Sequence, residues 1–275
     1  MTEDTRHTIE TLLASPRPED LRKGLNLVKE EIARVGSADA RELFEVVSAL
    51  FYFDPIDRPD LVPILDEAIS LVVGFGQWVI PSLVERLDAG DLKAQLAIAN
   101  ALGRIGADAI APLMAEYEAV DGDERRVFIL YALGKIKSPR VLQCAWLVLS
   151  AADSLHTELR DTATRAMGKF AEAIPPEGMP EYIRGAFLQK LHEHLADENA
   201  GVRAKAMRSL GKMARYGHIT GPERDRLRVI CERILGRDEQ FEWDRAYIVR
   251  REAAEALNYL GAEGSSPFKG AAARP

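Results

Sequence analysis

Cysteine is almost missing from this chain, with only Cys144 and Cys231 in 275 residues. Two thiols so far apart form neither a disulfide framework nor a metal-ligand spacing. Both stand in apolar stretches, VLQCAWLVL and RVICERIL, and read as small buried hydrophobes. Aromatics are also few, at 7%. That composition, rich in Ala and Leu, suits close helix–helix packing better than β-sheets. Long hydrophobic runs are lacking. The longest, Ile69 to Val84, is 16 residues and contains Gln77 and two glycines, too short and too interrupted to span a bilayer. The N-terminal MTEDTRHTIE is polar, without the apolar segment of a signal peptide. The expectation is a cytoplasmic protein with no membrane partner.

Chemical motifs are equally sparse. There is no Gly-rich phosphate loop, zinc spacing or hydrolase nucleophile turn. His192 and His194 stand two apart, which on a helix turns the rings about 200° from each other. We assign no catalytic residue, cofactor or metal, and lean away from an enzyme.

Charge is unevenly spread. Residues 1–73 hold 8 Lys/Arg against 15 Asp/Glu, while residues 200–251 hold 13 against 7. The N-terminal end is acidic, the late section basic, and the whole carries −7. An acidic chain is a poor general nucleic-acid binder, because phosphate contacts need concentrated Lys and Arg. A local basic face still suits an acidic partner.

What the chain does have is a repeat. LKAQLAIANALGRIG (92–106), RRVFILYALGKIK (125–137), LRDTATRAMGKF (159–170), VRAKAMRSLGKM (202–213) and VRREAAEALNYLG (249–261) align on Gly103, Gly134, Gly168, Gly211 and Asn258. Eight residues earlier stand Gln95, Arg126, Arg160, Arg203 and Arg250; two earlier stand Ala101, Ala132, Ala166, Ser209 and Ala256. The apolar offsets fall on one side of a helix, and the small residues let a neighbouring helix come close. Each interval also holds a second apolar helix pattern, so the unit is a helical hairpin with the quoted motif as its second, or B, helix. One hairpin cannot bury its apolar face; stacked hairpins can. The expected fold is an all-α solenoid of about seven antiparallel hairpins over residues 1–260. Residues 1–73 form degenerate, acidic repeats, 74–260 well-matched ones, and 261–275 a flexible tail.

The VRxxAxxALGxIG-like B helix resembles the HEAT-like repeats first described in phycobilisome lyases. The resemblance covers roughly residues 60–261. It implies a curved superhelix whose B helices line the concave side and hold another protein.

The recurrent Arg eight before the anchor reads as structural, bonding turn aspartates and carbonyls between adjacent repeats. A second row, away from the core side, points to function. Arg104, Tyr131, Lys135, Arg165, Lys169, Arg208 and Lys212 make a basic strip containing a tyrosine, expected to bind a partner protein with an acidic or mixed-charge surface. Helix-dipole complementarity is the competing account of the cations near helix ends. Residues 50–65 (LFYFDPIDRPDLVPIL) read as a helix–loop–helix corner. In it Phe51 and Phe53 pack, Asp54-Pro55 turns and Asp60 caps the next helix. The functional expectation is a non-catalytic scaffold or assembly factor. A bilin lyase-like protein or cofactor chaperone is the alternative, and a DNA-repair solenoid the third reading.

Overall fold

A computed structural model of the chain describes residues 1–37, 41–88, 90–238 and 243–261. The expected tail beyond Gly261 lies outside the described residues. Among the described residues there are fourteen α-helices and no strand beyond one isolated bridge, Leu235 to Trp243. The chain is the all-α solenoid expected. It packs as two compact units, Met1–Val120 and Asp121–Pro275.

The first unit holds α1 (Glu3–Leu13), α2 (Pro18–Val35), α3 (Arg41–Ser48), α4 (Val62–Gly74), α5 (Ile80–Glu85), α6 (Leu92–Ile105) and α7 (Ile110–Ala119). The B helices α2, α4 and α6 pack side by side. The apolar run Ile69–Val84 is not one helix. Gly76, at φ 89°, turns the chain through 106° between α4 and the segment carrying α5. No single described helix is long and apolar enough to cross a membrane, although two bent pairs pass on length and composition. The core here is aromatic: Phe44, Phe75 and Trp78 meet edge to face, with ring centroids 5.6–6.3 Å apart. The corner at residues 50–65 forms with one correction. Phe51 is buried, and Asp54 accepts the Ile56 N–H at 2.8 Å and pairs with Lys93. Asp60 does not cap α4, because Arg58, two residues away, takes its carboxylate through Nε at 2.9 Å and Nη2 at 2.7 Å.

The second unit holds α8 (Asp123–Leu133), α9 (Ala145–Ala152), α10 (Thr157–Ala173), α11 (Glu181–His194), α12 (Ala200–Arg215), α13 (Pro222–Ile234) and α14 (Tyr247–Gly261). Its B helices α8, α10, α12 and α14 each pack on the next, while α9, α11 and α13 lie behind them. Side-chain caps start α12 and α6. Asn199 accepts the Gly201 N–H at 2.8 Å at the head of α12, as Asp91 does for Lys93 at 2.8 Å at the head of α6. Buried residues such as Phe170, Phe187, Met207 and Leu210 fill the space between layers, at about 1.5–3 kcal/mol for each fully buried large side chain.

The repeat motif is explained by the contact between neighbouring B helices. A Cβ added at Gly168 would lie 2.5 Å from Ser209 Oγ and 2.8 Å from Ser209 Cα. One added at Gly211 would lie 3.1 Å from Ala256 Cβ. The anchor glycine of one repeat therefore meets the small residue two before the anchor of the next. Ser209 turns its hydroxyl to donate to the Thr164 carbonyl at 2.9 Å, so its polar atom is satisfied in the seam.

The recurrent arginine is structural, as expected. Arg160 aims Nη1 at the Ser154 and Leu155 carbonyls, at 2.8 and 3.4 Å, and lays its Nε and Nη2 on Asp197 at 2.7 and 3.3 Å. Arg203 repeats this on the Asp197 and Glu198 carbonyls, at 2.9 and 3.1 Å, and on Asp244 at 2.7 and 3.0 Å. Each pair ties one repeat to the turn of the next.

Candidate functional site

The seven strip residues do not behave alike. Arg104 belongs to the first unit, where it pairs with Asp66 and donates to Ser70 Oγ at 3.0 Å. The other six belong to the second unit, five on its B helices and Lys135 in the turn that follows α8. Arg208 is held by Glu252, with Nε at 2.9 Å and Nη2 at 2.6 Å, and Arg251 shares the same carboxylate at 2.8 Å. These guanidiniums hold the Glu252 carboxyl below its usual range against the opposing effect of burial. Lys169 and Lys212 share Glu172, at 2.9 and 2.8 Å. Two ammoniums on one carboxylate drop Glu172 to about 2, although burial works the other way. Burial, together with the neighbouring Lys169 ammonium, pushes Lys212 down to about 8.

Tyr131, Lys135 and Arg165 are arranged differently. Two cations lie over the Tyr131 ring: Arg165 Cζ is 4.8 Å from its centroid and Lys135 Nζ 5.1 Å. Among the described residues neither cation has a carboxylate in ion-pairing reach. All three side chains are half-buried and, with Leu130, Gly134 and Thr162, line a shallow notch between α8 and α10. A cation held over a ring gains about 0.5–2 kcal/mol, enough to fix its position while leaving its N–H groups free for an acceptor. In the second unit the strip's five cations meet two carboxylates, Glu172 and Glu252, and Lys135 and Arg165 engage neither. The arrangement is able to hold a carboxylate or carbonyl against a tyrosine face.

Two features fell outside the sequence reading. Trp146 and Tyr182 stack on the helices behind the strip, with centroids 6.2 Å apart, and are 61% and 65% exposed. Their 36-residue separation, close to the repeat period, was the available signal. A cleft of about 340 Å³ runs between α11 and α13, floored by Leu188, Leu210 and Leu227 and rimmed by His192, Glu223 and Arg226. The two histidines of α11 part company. His192 faces this cleft, and His194 is buried with Nδ1 2.7 Å from Thr164 Oγ1; burial lowers both pKa values. Both thiols are buried, as expected, and burial pushes each up to about 12.

No family model matches this chain, and no curated protein matches it. Among solved structures it is similar to an engineered protein, at 16% identity over 95% of this chain and 98% of that one, with a TM-score of 0.49. It is also similar to a designed armadillo repeat protein in complex with the peptide (KR)4, at 17% identity over 94% and 100%, with a TM-score of 0.48. A further designed armadillo repeat protein aligns at 15% identity over 92% and 98%, with a TM-score of 0.46. The stacking of the B helices, each on the next within its unit, itself makes the fold a helical repeat solenoid.

Proposed function

We propose that this chain is a non-catalytic protein-binding scaffold or adaptor that receives an acidic or mixed-charge polypeptide on the B-helix face of its second unit. The observation that carries the reading is the cluster of Lys135 and Arg165 over the Tyr131 ring. Arg208, Lys169 and Lys212 are engaged by carboxylates, whereas Lys135 and Arg165 are positioned by a ring and open to an acceptor. The HEAT-like motif fits this use of the B face. So does the mixed character of the strip, since interleaved Glu172, Glu252 and Asp161 suit a polypeptide better than a continuous polyphosphate.

The test uses a fluorescent Glu-rich helical peptide and the full chain, followed by anisotropy. Reversing both cations, Lys135→Glu with Arg165→Glu, should weaken binding by roughly tenfold or more and flatten its salt dependence. Arg208→Ala should leave binding near the wild-type value, because its charge is already spent on Glu252. Unchanged binding in the double reversal, with helicity intact, overturns the proposal.

A further inference from the structure

The last arginine of the ladder keeps its grip on the turn before it, but its outer edge meets no acceptor among the described residues. Arg250, at the head of α14, is held like Arg160 and Arg203: its Nη1 donates to the carbonyls six and five residues upstream, Asp244 at 2.7 Å and Arg245 at 3.0 Å. In the two preceding repeats, that grip turns the Nε and Nη2 edge onto an aspartate of the following turn. For Arg250 no described residue accepts from that edge, and no further B helix follows α14 among the described residues. The guanidinium is flanked instead by Trp243, 4.3 Å to the ring centroid, and Tyr247, at 6.0 Å. Both rings are largely exposed, at 58% and 69%.

We propose that Arg250, Trp243 and Tyr247 form a carboxylate socket for a partner protein that presents an aspartate at the head of a helix. The chain's own repeats specify the ligand. Asp197 and Asp244 each accept two N–H groups from an arginine while Oδ1 also accepts the backbone N–H two residues on, Asn199 at 2.8 Å and Ala246 at 2.8 Å. The complementary group is therefore an aspartate folded into its own turn, immediately before a helix, and not a free carboxylate on a flexible chain. Bidentate guanidinium–carboxylate bonds are strong and geometrically selective. The surplus of Lys and Arg over residues 200–251 favours the approach of such an acidic turn. This surface is separate from the Tyr131 notch, so the two stand or fall independently.

The probe is a synthetic peptide of residues 196–215, the aspartate turn and helix that Arg160 already recognises in place. It is titrated into the full chain, with the arginine side-chain N–H signals followed by NMR and Arg250 assigned from Arg250→Lys. The expected result is a shift confined to the Arg250 Nε–H signal. A peptide carrying Asp197→Asn should bind at least about tenfold more weakly. That comparison alters the peptide alone, so the fold of the protein is not at issue. Equal binding of the two peptides, or no shift at Arg250, overturns the proposal. So does an Arg250 signal that, before any peptide is added, already matches those of Arg160 and Arg203, because the chain itself would then fill the socket. A shift on concentrating the protein alone assigns the socket to a second copy and overturns a separate partner.

Discussion

Gly168→Ala isolates the contact that builds the repeat. Inside a helix, alanine is favoured over glycine by about 1 kcal/mol, so propensity alone says the change stabilises. The seam says the opposite. The new methyl would stand 2.8 Å from Ser209 Cα and Cβ, and the Cα moves only if α12 moves away from α10. Overpacking of that kind costs about 1–3 kcal/mol, and together with strain on the Ser209–Thr164 bond it outweighs the propensity gain. The net expectation is a loss of about 1–2 kcal/mol. Gly211→Ala meets Ala256 Cβ at 3.1 Å, where a few tenths of an ångström suffice, and should come out near neutral. Gly134→Ala meets nothing closer than the Leu130 carbonyl at 3.4 Å and should be neutral to slightly stabilising. The order is read from urea midpoints by far-UV circular dichroism, with intrinsic tryptophan fluorescence as a second probe. Combining Gly168→Ala with Ser209→Gly should recover part of the loss, as a positive coupling in a double-mutant cycle. A Gly168→Ala chain as stable as wild type refutes the proposed seam.

Other outcomes follow from the charged groups. Asp197→Ala leaves the Arg160 guanidinium, largely buried at 13% exposure, without its carboxylate; the expected cost is about 3 kcal/mol in chemical denaturation, and a change near zero contradicts the ladder. Glu172 titrates near 2 in the fold, against 4.5 ordinarily, so its stabilisation is complete above 4.5 and lost as pH falls towards 2. Glu172→Gln should remove that part of the acid transition. Lys212 titrates near 8 in the fold against 10.5 ordinarily, so the unfolded chain binds more protons between those values and stability rises across that window. Lys212→Met should abolish the rise. Both thiols should resist a thiol-reactive reagent in the native chain and react together once it is unfolded; fast native labelling of either contradicts its burial.

The fold was legible because its rules are local and repeated. The anchor glycine, the small residue two before it and the arginine eight before it recur because each B helix makes the same contacts with the next. Their partners, Ser209, Ala256, Asp197 and Asp244, also stand at repeating positions. The site was less legible because its neutralising partners are remote. Glu252 lies 44 residues from Arg208, Glu172 lies 40 from Lys212, and Asp66 lies 38 from Arg104. No helical wheel reveals which of these carboxylates meets which cation. Arg165 and Arg208 therefore looked equivalent by offset, and only the packed helices separate a cation set over Tyr131 from one clasped by Glu252. Asp60 illustrates the same limit at short range: its residue type suits a cap, yet Arg58 competes for its oxygens and holds them.

Hydrogen–deuterium exchange of the full chain with and without the Glu-rich peptide tests the central claim, that binding uses the B-helix face at Tyr131. The expected result is slowed exchange over α8 and α10 around Tyr131 and Arg165, lost in the chain carrying Lys135→Glu and Arg165→Glu. Slowed exchange confined instead to α9 and α11, beneath the exposed Trp146–Tyr182 stack, or no change anywhere, contradicts it.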